Sequence, residues 1–181
     1  MQFPLKSTFL ALPLEDQAQW QFQALQEKLK EFEDCLRFQS PQTPHVTLQY
    51  WKEVMEIEYQ PIIEQAEKIT LKTDPFTIKV AAAETFGSRH EDRVLVLSMA
   101  FSEELACLRK SCPWPLDREF KPHITLARMR HPQRFARVKK QVMKKLHGCA
   151  FEVSVDRLRL YAEVDGVKQT HLEDFVFMRT Q

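Results

Sequence analysis

Two short stretches of this 181-residue chain nearly duplicate each other: Pro44-His45-Val46-Thr47-Leu48 and Pro122-His123-Ile124-Thr125-Leu126. Each sets a histidine and a threonine two residues apart inside an apolar run. Successive side chains of a strand alternate faces, so His45 and Thr47 share one face of their strand and His123 and Thr125 share one face of theirs. Two such strands side by side would offer two imidazoles and two hydroxyls to one small anionic group. Free imidazole titrates near neutrality, so one ring can accept a proton while the other, protonated, donates one. A phosphodiester needs both, a base for the attacking oxygen and an acid for the leaving oxygen. The threonine hydroxyls can donate to non-bridging oxygens as charge builds. The reading is acid–base chemistry at phosphorus carried by His45, His123, Thr47 and Thr125, with no metal and no cofactor.

A zinc site on His45 and His123 would be short of the usual three or four ligands. His90, His131, His147 and His171 stand at no ligand spacing from them and read as surface or loop residues. A lone histidine in an apolar strand is commonly a satisfied core residue. Two His-x-Thr runs with the same Pro before and Leu after ask for more than that.

The elements that must position these strands follow from periodicity. Lys6 to Leu12 reads as a strand. Ala18, Phe22, Leu25, Leu29 and Phe32 keep helical spacing and predict a helix over 14–32. Leu36–Phe38 is a short strand, and Ser40 to Pro44 a turn into the first motif. A second helix is expected from near Pro61. Phe76, Ile78, Val80 and Ala82 alternate as a strand, 87–92 is a polar connection, and Val94–Met99 is an apolar strand. Ser102 with Glu103 and Glu104 opens a helix to about Lys110. After Pro113-Trp114-Pro115 comes the second motif, then a helix over 132–147 ended by Gly148. Strands are expected over 151–155, 158–162 and 172–178.

The motifs lie 123 − 45 = 78 residues apart, each preceded by strand- and helix-like material. The expected fold is α+β, a bilobed pseudo-symmetric duplication in which two antiparallel sheets line a central cleft with helices outside. No linker divides the lobes, so 1–181 is read as one domain.

Composition excludes several classes. Three glycines and no glycine-rich phosphate loop argue against a Walker or Rossmann nucleotide site. Four cysteines without a Cys-x-x-Cys pair read as reduced thiols in a cytoplasmic protein. The start has no signal-peptide pattern, and no apolar run reaches the ~18–20 residues of a membrane span. A monomer is expected. The net charge of +1 is unevenly placed. Residues 1–70 hold 6 basic against 11 acidic residues, and 118–147 hold 10 basic against one, Glu119. Such a block is either a solvated helix face or a steering field for an anion such as nucleic acid.

These residues resemble the two-histidine (2H) phosphoesterases, the LigT-like group also called the 2′-5′ RNA ligase family, and within it the RNA 2′,3′-cyclic phosphodiesterase branch. The resemblance rests on His45-Val46-Thr47-Leu48 and His123-Ile124-Thr125-Leu126-Ala127-Arg128. Phe9-Leu10-Ala11-Leu12-Pro13, Phe86-Gly87 and Arg93-Val94-Leu95 support it. It implies hydrolysis of a 2′,3′-cyclic phosphate on RNA ends or nucleotides to a 2′-phosphate. His45 would protonate the departing 3′ oxygen and His123 would activate water, or the reverse. It further implies that Arg128, with Arg130 beside it, contacts phosphate and that Tyr50 stacks on a base. Strict alternation, however, puts Tyr50 and Arg128 on the face opposite their histidines. Alternatives within the resemblance are another small cyclic nucleotide, a 2′-5′ linkage, or a non-catalytic RNA-binding member.

Overall fold

The structure, a computed structural model, describes residues 2–116 and 119–178; Arg118 of the basic block lies outside them. The described elements run β1 Leu5–Pro13, α1 Asp16–Lys28, β2 Leu36–Phe38, β3 His45–Val54, α2 Glu56–Thr70, β4 Phe76–Ser88, β5 Glu91–Met99, α3 Glu103–Ser111, β6 His123–Met129, α4 Pro132–Lys145, β7 Phe151–Val155, β8 Arg157–Val164 and β9 Val167–Val176.

Four boundaries differ from the periodicity reading. The first helix ends at Lys28 and gives way to a tight 3₁₀ turn over Lys30–Phe32. The second begins at Glu56 rather than near Pro61, because the Glu58 carboxylate accepts from the Met55 N–H at 2.8 Å and closes its first turn. β4 and β5 run through the polar 87–92 segment and leave only Arg89-His90 between them. β9 starts at Val167, not Leu172, after a two-residue turn of Asp165 (φ 51°) and Gly166 (φ 77°). Two left-handed residues are what this hairpin turn requires.

The strands pair antiparallel in the order β7-β4-β5-β6-β3-β1-β8-β9, with β2 also beside β6. Two four-stranded halves, β6-β5-β4-β7 and β3-β1-β8-β9, meet at one bridge, Val46 opposite Ile124. The two sheets expected are therefore halves of a single, strongly curled sheet. Helices cover its outer face: α4 lies against β5, α2 against β8 and β9, and α1 against β7.

The motif strands are the central pair, and their apolar positions fix them there. Val46, Leu48, Ile124 and Leu126 are each at most 1% exposed, within the main core under the helices. A one-residue slip would turn all four to the other face, at a cost of roughly 6–12 kcal/mol if each is worth ~1.5–3 kcal/mol. Register, and so the direction of both histidines, is held by this core.

Candidate active site

The Val46–Ile124 bridge determines how the four polar side chains meet. Continuing its register one residue each way sets His45 across from Thr125 and Thr47 across from His123. Directly opposite residues of an antiparallel pair share a face, with Cβ atoms about 4.5–5.5 Å apart and diagonal neighbours about 7–8 Å apart. The histidines occupy one diagonal of this square and the threonines the other. Among the described residues, the hydroxyls of Thr47 and Thr125 have no internal hydrogen-bond partner.

Both imidazoles are moored in the same way. His45 Nδ1 lies 2.7 Å from the Thr43 carbonyl oxygen, and His123 Nδ1 lies 2.7 Å from the Lys121 carbonyl oxygen. A carbonyl only accepts, so each Nδ1 must carry the proton. Each Nε2 is then left to the cleft, an acceptor when the ring is neutral and a donor when it is charged.

The surroundings of the two rings differ, and the register shows why. β1 meets β3 as β5 meets β6. Pro13 opposes His45 and Ser98 opposes His123; Ala11 opposes Thr47 and Val96 opposes Thr125; Phe9 opposes Tyr50 and Val94 opposes Arg128. One strand further out, Tyr161 on β8 opposes Phe9 and Phe86 on β4 opposes Val94. Each imidazole thus has an aromatic neighbour from the third strand, at 5.5 Å for His45–Tyr161 and 5.0 Å for His123–Phe86. The symmetry fails at the middle position. Phe9 is large enough to stack on His45 at 4.6 Å and on Tyr161 at 4.9 Å, whereas Val94 leaves space. Burial under this aromatic layer, with the nearby His123 adding repulsion, pushes His45 down to about 4 against the support of its bond to Thr43. The free site therefore holds His45 neutral at pH 7.

The space beside Val94 is a groove of about 1120 Å³ that runs from Thr47 and His123 to Tyr50, with Phe86, Phe120 and Lys121 on its other walls. The loop after α3 forms one side. Arg109 holds that loop, donating to the Trp114 carbonyl at 2.8 Å and lying 6.0 Å from the Phe120 ring centre. Gly87 is required at the rim, since a Cβ there would fall 2.1 Å from the Glu91 carbonyl oxygen.

Strict alternation fails for Tyr50 and Arg128, and the reason is specific. On β1, Leu10 and Ala11 are consecutive, but their partners on β3 are Gln49 and Thr47. On β5, Leu95 and Val96 are consecutive, but their partners on β6 are Ala127 and Thr125. Each motif strand carries one extra residue, Leu48 and Leu126 respectively, three places after its histidine. Such a bulge shifts the side-chain phase by one. Gln49 and Ala127 turn inward with the leucines before them, and Tyr50 and Arg128 emerge exposed on the histidine face. Arg130 lies just past the end of β6, exposed, its N–H bonded to the Cys35 carbonyl at 2.8 Å.

Of the other histidines, His171 is at the surface as expected, on strand β9, with Nε2 3.2 Å from Asp174. Among the described residues no group of three His, Cys, Asp or Glu could hold a metal ion, and no helix is long and apolar enough to cross a membrane. Phe9 and Phe86 stand in the runs that carry the resemblance, but nothing in the sequence marks them as imidazole neighbours. Tyr161, 116 residues beyond His45, carries no local signal at all.

The model of the 2′-5′ RNA ligase superfamily matches residues 12–166, a span that contains both motif strands. The chain belongs to this superfamily. A curated relative, the RNA 2′,3′-cyclic phosphodiesterase of Methanothermobacter thermautotrophicus, is 26% identical over 133 residues, covering 69% of this chain and 72% of that protein. Among solved structures, TT0787 of Thermus thermophilus matches with a TM-score of 0.73 at 20% identity, over 94% of this chain and 97% of the other. E. coli LigT in its apo form matches with a TM-score of 0.66 at 18% identity, over 97% and 99%. The expected resemblance to the 2H phosphoesterases holds, and so does the α+β fold with its curled antiparallel sheet.

Proposed function

We propose that this member of the 2′-5′ RNA ligase superfamily hydrolyses a 2′,3′-cyclic phosphate on an RNA end or nucleotide to a 2′-phosphate, by acid–base catalysis between His45 and His123. The observation that carries this reading is the matched mooring of the two rings, each with Nδ1 on a carbonyl and Nε2 facing the cleft across the His–Thr square. In-line displacement at phosphorus needs one group on each side of it, and the diagonal provides that. Thr47 and Thr125, whose hydroxyls have no internal partner among the described residues, would donate to the non-bridging oxygens. Tyr50 would stack on the base and Arg128 would contact phosphate.

His45 is assigned the acid. It is neutral in the free site, but a phosphate anion within ~4 Å is worth about 4 kcal/mol at an effective dielectric of 20. That matches the free energy by which burial disfavours its charge, so His45 takes up a proton with the substrate and passes it to the departing 3′ oxygen. His123, on the open side of the groove, takes the proton of the attacking water.

The test is an assay on RNA ending in a 2′,3′-cyclic phosphate, with excess EDTA present. The cyclic end should disappear and a 2′-monophosphate accumulate, and His45→Ala and His123→Ala should each lose at least ~10²-fold. Abolition by EDTA, or a near-normal rate in either variant, would overturn the reading.

A further inference from the structure

The two prolines of Ser40-Pro41-Gln42-Thr43-Pro44 take two amide donors out of the segment between β2 and β3. β2 keeps its ladder with β6, Arg37 opposite Arg128 and Phe38 opposite Ala127, and β3 rejoins β6 at Val46 opposite Ile124. Over 39–44 the chain leaves the sheet, and its carbonyls must find donors elsewhere. At the His45 end, the Thr43 carbonyl accepts from His45 Nδ1 at 2.7 Å and the Pro44 carbonyl accepts from the Leu14 N–H at 2.9 Å.

Helix α1 supplies the donors at the other end. Gln19, Gln23 and Gln26 stand at i, i+4 and i+7, which is one side of a helix. Gln19 and Gln23 both donate from Nε2 to the Pro41 carbonyl, at 3.1 and 3.0 Å. Gln26 donates from Nε2 to the Gln39 carbonyl at 2.9 Å and to the Leu126 carbonyl at 3.2 Å. The Gln39 N–H closes the group on the same Leu126 carbonyl at 3.1 Å.

Alone of the three, Gln26 is buried, at 8% exposed, on a helix whose Phe22 and Leu25 belong to the core. Both of its partners are carbonyls, which only accept, so its amide nitrogen faces them and gives one N–H to each. A glutamate would have no donor there, and a lysine would bring an unpaired charge into the core. Leu126 is the bulge residue of β6. Gln26 thus ties the bulge of the second motif strand to the turn that enters the first. Of the two, β6 is the fixed partner, because β5 holds its other edge from His123 opposite Ser98 to Arg128 opposite Val94. The turn has no such ladder, and it ends on the Thr43 carbonyl that moors His45.

We propose that Gln26, seconded by Gln19 and Gln23, is a positioning residue for His45: the amide row of α1 fixes the turn, and with it the place of the His45 ring relative to His123. This rests on the reading of His45 as the acid.

The experiment uses two variants. Gln26→Met keeps a side chain of similar length and removes both donors. Gln19→Ala/Gln23→Ala frees the Pro41 carbonyl on a helix that alanine favours. Rates are measured well below the melting temperature of each protein, on RNA ending in a 2′,3′-cyclic phosphate and on a 4-nitrophenyl phosphodiester, whose leaving group needs no proton. On the cyclic phosphate, Gln26→Met should lose about tenfold in kcat with KM within about twofold, and the alanine pair should lose several-fold in the same direction. On the nitrophenyl ester both should stay within about twofold of wild type. A variant that merely folds less well loses in equal proportion on both substrates. Equal losses on the two, or no loss on either, overturn the assignment. If Gln26→Met does not fold, the alanine pair decides by the same comparison. Should wild type turn over neither substrate, the catalytic reading fails, and NMR of the histidine rings decides the positioning. The His45 ring resonances should then shift in the variants while those of His123, moored on Lys121, stay in place; unmoved His45 resonances, or equal shifts in both rings, overturn it.

Discussion

The most consequential single residue is His45, because its environment works against its charge. Its value of about 4 in the folded protein lies below the ordinary 6.5. Between those limits the unfolded chain binds the proton and the folded one does not, so stability falls as pH falls from 6.5 toward 4. The loss is about 3 kcal/mol by pH 4, since each pKa unit is 1.36 kcal/mol. Urea unfolding of wild type and His45→Gln at pH 7 and pH 4.5 should show this slope in wild type and lose it in the variant. The cause assigned to it is equally testable. Phe9→Val copies the residue that the other half of the sheet has at the matching place, Val94. It should let the His45 ring hydrate and move its NMR titration up toward 6.5; an unmoved titration would mean that Phe9 is not what desolvates the ring. The acid role proposed for His45 has its own signature. A 4-nitrophenyl phosphodiester has a leaving group that needs no proton, so His45→Ala should lose far less on it than on a cyclic phosphate, and His123→Ala should lose on both.

At the scale of elements, the turn before β3 holds His45 in place, and the β8–β9 hairpin holds that turn. Thr43 Oγ1 donates to Gln169 Oε1 at 2.6 Å, and the Thr43 carbonyl accepts the hydrogen bond of His45 Nδ1–H. Gln169 does this from a left-handed backbone, φ 58°, which glycine adopts without strain. Gln169→Gly should therefore leave stability unchanged or raise it by up to ~1 kcal/mol while kcat drops several-fold, because Thr43 loses its partner. A thermal melt and a rate measured on the same preparation decide this. The counterpart in the other half, Lys121, carries among the described residues only an exposed ion pair to Glu119 at 3.6 Å, so within them the two rings are not equally braced. None of this was legible in the sequence, since Thr43 and Gln169 are 126 residues apart. The His-x-Thr pairs were legible because period-two alternation is a local property, and the two runs differ only at Val46 and Ile124. The phase change at Leu48 and Leu126 was not, because a bulge is defined by the partner strand: it appears only when β1 is laid beside β3 and β5 beside β6. Alternation alone therefore misplaced Tyr50 and Arg128. The starts of α2 and β9 were missed for a related reason, one set by a single side-chain cap and the other by a two-residue turn.

On the scale of the whole molecule, charge and cleft are separated by the sheet. Phe135 and Val142 bury one side of α4, the helix packs on the outer face of β5, and the His–Thr square lies on the inner face. Part of its charge is already neutralised: Lys139 pairs with Asp92 at 2.9 Å and bonds to Thr85, and Lys145 pairs with Glu31. Arg137, Lys140 and Lys144 remain, exposed and, among the described residues, without a partner. A short RNA end in the cleft cannot touch them through the sheet. The basic block thus divides into an inner group, Arg128 with Arg37 opposite it, and an outer helix that only a longer chain could reach. Changing Arg137, Lys140 and Lys144 together to Gln should leave kcat/KM for a trinucleotide within about twofold. For a structured RNA of several helical turns it should weaken binding and lower the slope of log K against log salt by up to about three, one for each phosphate no longer neutralised. Lys139→Gln should act differently, since it ties α4 to the β4–β5 hairpin that forms the rim of the groove: a small loss of stability, with no change in the salt slope for long RNA. If the triple variant harms the trinucleotide as much as the long RNA, the field of α4 reaches around the sheet edge, and the division into inner and outer charge is wrong.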